Sequence, residues 1–136
     1  MDYTNIEDHL SRHSLVDLYL DTFNYNGHTS TVDALWAGIP VITKLGQSLT
    51  ARVCGSLLTA FNLSEMITNS AYEYKNLAYQ LAKDKNLFQE VKTKVSQNKF
   101  SSKLFNTKEY VMNLERGYKL VCDLKNNKNE IKTIYL

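Results

Sequence analysis

Asp17-Leu18-Tyr19-Leu20-Asp21, then Thr22-Phe23-Asn24-Tyr25-Asn26-Gly27, then His28-Thr29-Ser30-Thr31-Val32-Asp33-Ala34-Leu35-Trp36-Ala37-Gly38, and finally Pro40-Val41-Ile42-Thr43 form the stretch that decides the fold. The first segment packs apolar bulk into a few residues and stops at a polar cluster, as a buried parallel strand entering a loop does. The next offers hydroxyl side chains to cap a helix, good helix formers in Ala34 and Leu35, and Gly38 where a helix C-terminus takes a positive φ. Pro40, the only proline, prevents that helix from continuing, and Val41-Ile42-Thr43 is short and β-branched, which predicts a second buried strand. Two apolar strands joined by one helix make a βαβ unit, with parallel pairing and a right-handed crossover as the default.

Upstream, Asn5 to Val16 spaces Ile6, Leu10, Leu15 and Val16 as a helix of about three turns, with His9 and Arg12 on another side. Downstream, Leu49 to Phe61 predicts a helix over the sheet, and Leu63 to Ile67 reads as a short third strand or an extended connector. Ser70 caps a long helical region in which Tyr74, Leu77, Ala78 and Leu81 recur at helical spacing; after a break near Asp84 to Asn86, Phe88, Val91 and Val95 resume it. A last helix covers Thr107 to Lys125. Residues 126–136 are a polar breaker, Asn126 to Asn129, and an unassigned tail. The expected class is α/β, with a short parallel sheet, several covering helices and a long C-terminal helix in one domain over residues 1–125.

The chain has 136 residues, 43% of them hydrophobic, which suffices for one buried core and not for two. Its net charge of +2 comes from 16 basic and 14 acidic residues that alternate along the sequence, with no basic block of the kind that binds a phosphate backbone. Nucleic acid is excluded as a partner on that ground. No apolar run approaches the roughly 20 residues of a membrane helix, and the acidic N-terminal residues are unlike a secretory signal. The expectation is a cytoplasmic protein without a membrane partner. Cys54 and Cys122 lie far apart in apolar helical stretches without metal-ligand neighbours, so both are expected as buried free thiols, and no metal site is expected.

The chemistry concentrates where the first strand turns into the helix. Amides at a helix start have no intrahelical partner and sit at the positive end of the helix dipole; Gly27 lets backbone approach a ligand there, and Thr29 and Ser30 add hydroxyl donors. The carboxyl end of a strand in an open α/β sheet is also where ligands bind. A glycine and a hydroxyl occur in many turns that bind nothing, so spacing alone leaves both readings open. His28 is either a diphosphate donor or an idle loop histidine. Asp33, one turn beyond Thr29, is either a ribose acceptor or an acidic residue near a helix start. His9 and Arg12 either face the same cleft or line a solvated helix side. Trp36 reads as a large structural anchor, Arg52 as a surface or anion-holding cation, and Tyr72, Tyr74 and Tyr79 as core and helix surface.

The ordered string from Asp17 to Thr43, continued by Arg52-Val53, Ser101-Ser102-Lys103-Leu104-Phe105-Asn106-Thr107 and Glu115-Arg116, closely resembles the C-terminal catalytic region of protein O-GlcNAc transferases and SPINDLY-type enzymes. The resemblance covers all but the tail. It implies part of the Rossmann-like C-terminal lobe of a GT-B glycosyltransferase, the lobe that holds the nucleotide sugar. By resemblance, His28, Thr29 and Ser30, beside Gly27, contact the donor diphosphate, Asp33 the ribose, and His9 and Arg12 the uridine pocket. Two positions depart from the family pattern: Ile6 stands where many members carry a ribose-contacting lysine, and Ser30 replaces a threonine. The family's catalytic lysine, its N-terminal lobe, its acceptor cleft and its tetratricopeptide repeats have no counterpart in this sequence, so no residue here is expected to be catalytic.

The resemblance implies metal-independent transfer of N-acetylglucosamine, or of a related sugar such as fucose, from a UDP-sugar to a protein Ser or Thr, within a larger chain or assembly that supplies the missing lobe and the acceptor site. The isolated chain is expected to be inactive. The alternatives are a stand-alone nucleotide-binding or docking module and a truncated gene product.

Overall fold

The computed structural model describes residues 5–126, which form two compact units parting between Ser102 and Lys103. The first begins with α1 (Ile6–Ser11) and a 3-10 turn (Arg12–Leu15), then runs β1 (Tyr19–Leu20), α2 (Thr29–Trp36), β2 (Val41–Lys44) and α3 (Val53–Ala60). A second 3-10 turn (Ser64–Met66), β3 (Ile67–Thr68), α4 (Ala71–Lys83) and α5 (Lys85–Ser101) complete it. All three strands are parallel and lie in the order β1-β2-β3, with Tyr19 opposite Val41 and Thr43 opposite Ile67. The βαβ reading of the sequence holds. β2 is the central strand and is buried from Val41 to Thr43. The core gathers around it from Leu35, Leu58, Phe61, Leu63 and Met66, each essentially without exposed surface.

Local chemistry explains where the helices stop. Gly38 takes φ +85°, and the amides of Gly38 and Ile39 donate back to Leu35 and Ala34, which closes the end of α2 and turns the chain into Pro40 and β2. Asn62, at φ 57°, ends α3 in the same way, with Leu63 N donating to Leu58 O. Ser70 Oγ accepts from Glu73 N at the start of α4, and Asp84 Oδ1 accepts from Asn86 N and Leu87 N at the start of α5, so the break expected near Asp84 is one residue shared by two helices. Of the segment from Leu63 to Ile67, only its end is the expected short strand, β3; Ser64 to Met66 form a 3-10 turn instead of an extended connector.

Several expectations need correction. The first helix is α-helical only to Ser11: the Ser11 and Ser14 hydroxyls donate to the Asp8 and Ser11 carbonyls, and the chain tightens into a 3-10 turn. β1 is two residues long instead of the five from Asp17 to Asp21, and it lies at the sheet edge with Leu20 54% exposed. α3 begins at Val53, because Ser48 to Arg52 is spent on turns in which Ala51 N and Arg52 N donate to Ser48 O and Leu49 O. Trp36, the expected structural anchor, is 43% exposed, with the Lys99 ammonium 4.2 Å from its ring centroid. The three tyrosines lie on α4 as expected, Tyr72 and Tyr79 on its exposed surface and Tyr74 half-buried.

The second unit comprises a 3-10 turn (Lys103–Phe105) and α6 (Thr107–Asn126), the expected long terminal helix. Asn106 Oδ1 accepts from Glu109 N and its amide donates to Glu109 Oε2, which caps α6 at its start. No residue of α6 is buried, so Cys122 is exposed, contrary to expectation, while Cys54 is buried as expected. The tail after Asn126 lies outside the described residues.

Candidate functional site

The loop from Asp21 to His28 leaves the carboxyl end of β1 and delivers the chain to α2. Its shape is fixed by buried polar groups. Asp21, 3% exposed, accepts from Gly27 N on Oδ1 and from the Thr43 hydroxyl on Oδ2, both at 2.6 Å. Asn26, 1% exposed, donates its side-chain amide to Thr22 O, accepts from Cys54 N, and donates its backbone N–H to Thr50 O. The Thr22 hydroxyl donates to Tyr25 O. Buried polar groups need such partners, and here they wire the loop to β2 and to the start of α3.

The sequence-predicted residues fall on and around this loop. Gly27 is required, but by protein: a Cβ there would lie 2.6 Å from Tyr19 Oη, 2.7 Å from Ser30 Oγ and 2.8 Å from Thr31 Oγ1. Its N–H donates to Asp21 Oδ1. His28 is half-buried at the N-cap of α2, stacked on Tyr25 with ring centroids 4.9 Å apart, and its Nε2 is buried without a hydrogen-bond partner among the described residues. Thr29 and Ser30 are exposed at the first two positions of α2, with Ser30 Oγ 2.9 Å from Tyr19 Oη. Val32 N donates to His28 O, so the amides of Thr29, Ser30 and Thr31 precede the first intrahelical bond.

Asp33 sits one turn further along α2, half-buried, with Oδ2 3.7 Å from His9 Nε2. The helix ahead of the sheet is thereby brought against α2. Arg12 is exposed at the first position of the 3-10 turn that follows α1. Arg52 donates to Gly46 O from the N-cap of α3.

Sequence reasoning missed the residues that build the site from beneath. Asp21 ends an apolar strand and Thr43 stands in a buried one; a carboxylate and a hydroxyl in such positions each demand a partner, which was the available signal. Tyr74, from α4, donates its hydroxyl to Asp21 O, and Phe23 packs edge-on against the Tyr74 ring at 5.0 Å. Burial, with the Asp21 charge adding to it, pushes the Tyr74 phenol up to about 12. Burial likewise pushes the Cys54 thiol up to about 12, against the lowering effect of the Thr31 hydroxyl. Asp21, Thr22, Phe23, Asn24, Tyr25 and Tyr74 line an open cleft of about 600 Å³ beside the turn. Free amides, hydroxyls and an unpartnered imidazole nitrogen at one helix start can receive an anion, with a carboxylate alongside that can accept from hydroxyls.

The sequence model of glycosyl transferase family 41 matches residues 2–114. The chain belongs to that family. It is 41% identical over 112 residues to a probable UDP-N-acetylglucosamine–peptide N-acetylglucosaminyltransferase, SEC, of Arabidopsis thaliana, covering 82% of this chain and 12% of the relative. It is 37% identical to the Caenorhabditis elegans UDP-N-acetylglucosamine–peptide N-acetylglucosaminyltransferase, covering 80% of this chain and 10% of the relative, and 34% identical to a probable SPINDLY transferase of rice, Oryza sativa. Among solved structures, an O-GlcNAc transferase mutant from Thermobaculum terrenum superposes with a TM-score of 0.79 at 27% identity, over 87% of this chain and 23% of the other. The expected partial α/β lobe of a GT-B glycosyltransferase agrees with this neighbour. The family 41 chain therefore spans about one eighth of the first curated relative's length and corresponds to the C-terminal region of these transferases. No helix among its described residues is long and apolar enough to cross a membrane, and no cluster of three or more metal-binding side chains occurs among them.

Proposed function

We propose that this chain is the UDP-sugar-binding part of a protein O-GlcNAc transferase-like enzyme that transfers N-acetylglucosamine to protein Ser or Thr. One observation carries the reading: α2 starts without a side-chain cap beside the unpartnered His28 Nε2, and one helical turn on, Asp33 lies against His9, so open amides and a hydroxyl-accepting carboxylate share one helix start. In this reading the diphosphate of UDP-N-acetylglucosamine rests on the amides after His28, with the Thr29 and Ser30 hydroxyls and His28 Nε2 as further donors. Asp33 accepts from the ribose hydroxyls, and His9 and Arg12 border the uridine. Donors already in place stabilise the charge that develops on departing UDP.

In this reading the acceptor protein, the general base and the facing lobe are supplied by a larger chain or assembly. Two free thiols suit a reducing, cytoplasmic compartment.

Calorimetric titration of the chain with UDP tests the proposal. Saturable binding that Thr29→Ala and Asp33→Ala each abolish is the expected result; no heat of binding at millimolar UDP would count against it. The chain alone is expected to turn over no sugar.

A further inference from the structure

Resting on that donor-site reading, we propose that Asp21 is a positioning residue for the diphosphate turn, holding Gly27 to Ser30 in place from beneath without touching the ligand. Four hydrogen bonds, from the central strand, α4 and the Gly27 turn, converge on it. Its backbone N–H donates to Ile42 O on the central strand, its carbonyl accepts from the Tyr74 hydroxyl on α4, its Oδ2 accepts from the Thr43 hydroxyl, and its Oδ1 accepts from Gly27 N. The carboxylate makes no ion pair among the described residues, so neutral donors alone offset its burial. Hydrogen bonds to a buried charge are short and strong, and these two are both 2.6 Å.

The Gly27 peptide is held from both ends, because its carbonyl accepts from the Thr31 hydroxyl at 2.7 Å. With its N–H turned inward, the chain leaves Gly27 in one direction only, and that direction sets where the amides of Thr29 to Thr31 point. Asp21 thus fixes the aim of the anion donors while placing a negative charge behind them. Positioning and charge make opposite predictions. If charge dominated, neutralising Asp21 would tighten anion binding; if aim dominates, it weakens it.

The test is titration of the parent chain, Asp21→Asn, Thr43→Val and Thr43→Ser with UDP and, separately, with uridine, each variant's melting temperature being recorded. Asp21→Asn and Thr43→Val are expected to weaken UDP binding by about tenfold or more, the size expected for a lost or neutralised charge-assisted hydrogen bond. Thr43→Ser keeps the hydroxyl and should bind UDP within about twofold of the parent. Uridine, which lacks the diphosphate, should bind all four proteins alike. Tighter UDP binding by Asp21→Asn, unchanged binding by both disruptive variants, or parallel loss of UDP and uridine would overturn the inference while leaving the donor site standing. If Asp21→Asn does not fold, Thr43→Val against Thr43→Ser decides alone. A parent chain that binds no UDP would bring down the donor-site reading and this inference together.

Discussion

His9 Nε2 lies 3.7 Å from Asp33 Oδ2, although the two residues stand on different helices with the first strand between them in sequence. Their side chains are 46% and 24% exposed, and a pair so open to water contributes at most about 1 kcal/mol to folding. Asp33→Ala is therefore expected to lower the melting temperature by no more than about 5 °C while costing about tenfold or more in UDP affinity. Scanning calorimetry beside the UDP titration separates the two effects. A large melting loss with unchanged affinity would make Asp33 a structural residue.

Gly27→Ala should damage the turn by overpacking. The added methyl meets three oxygens, those of Tyr19, Ser30 and Thr31, all inside 3 Å, and relief costs on the order of 1–3 kcal/mol. Because Tyr19 Oη is the nearest of them, Tyr19→Phe in the same chain should recover part of the lost stability. Denaturant unfolding of the two single variants and the double variant checks this, and strictly additive losses would contradict it.

The two thiols should behave differently. Cys122 is exposed on α6, whereas Cys54 is buried with its pKa pushed up to about 12, so one equivalent of a thiol reagent should react promptly at pH 8 and the second only on unfolding. The pH dependence has a definite sign. Cys54 and Tyr74 are acids whose folded values are raised from 9.0 and 10.0 to about 12, so their contribution is complete below about pH 9 and is lost as pH rises towards 12. The urea midpoint should accordingly be lower at pH 11 than at pH 8. An unchanged or higher midpoint would contradict the burial of these groups.

Helix starts supply a further expectation. Ser70→Ala removes the acceptor for Glu73 N, and Asp84→Ala removes the acceptor for Asn86 N and Leu87 N. Each should cost about 1 kcal/mol, and because the two caps share no partner the double variant should lose close to the sum. Equilibrium unfolding measures all three.

Where local rules act alone, the sequence was a good guide. Gly38 and Pro40 mark the end of α2 and the approach to β2, Ser70 marks the start of α4, and Asp84 marks the junction before α5. The turn at Gly27 to Ser30 was legible for the same reason, since glycine and hydroxyls before a helix-forming run point to one kind of backbone. What escaped depended on partners distant in sequence. The place of Gly27 is set by Tyr19 Oη, and the bond between Asp21 and Thr43 exists only once β1 and β2 are side by side. Cys122 went astray because apolarity at helical spacing shows that a residue can be buried, not that another element arrives to cover it.

The side-by-side order of the strands has a consequence for how the molecule is made. Each pairing, Tyr19 with Val41 and Thr43 with Ile67, closes a loop of roughly two dozen residues, and loop-closure entropy grows only logarithmically with such lengths. No strand waits for a partner that is synthesised later than its immediate successor, so the sheet can grow in the direction of translation. Pulsed hydrogen exchange during refolding should find the amides of Tyr19 and Asp21, which donate to Pro40 and Ile42, protected no later than that of Leu45, which donates to Thr68. The opposite order would mean that the sheet assembles from its far edge. A growing chain that follows the expected order would pair β1 with β2 around the turn at Gly27 while α3 and α4, which later bond to that loop through Cys54 and Tyr74, are still unmade.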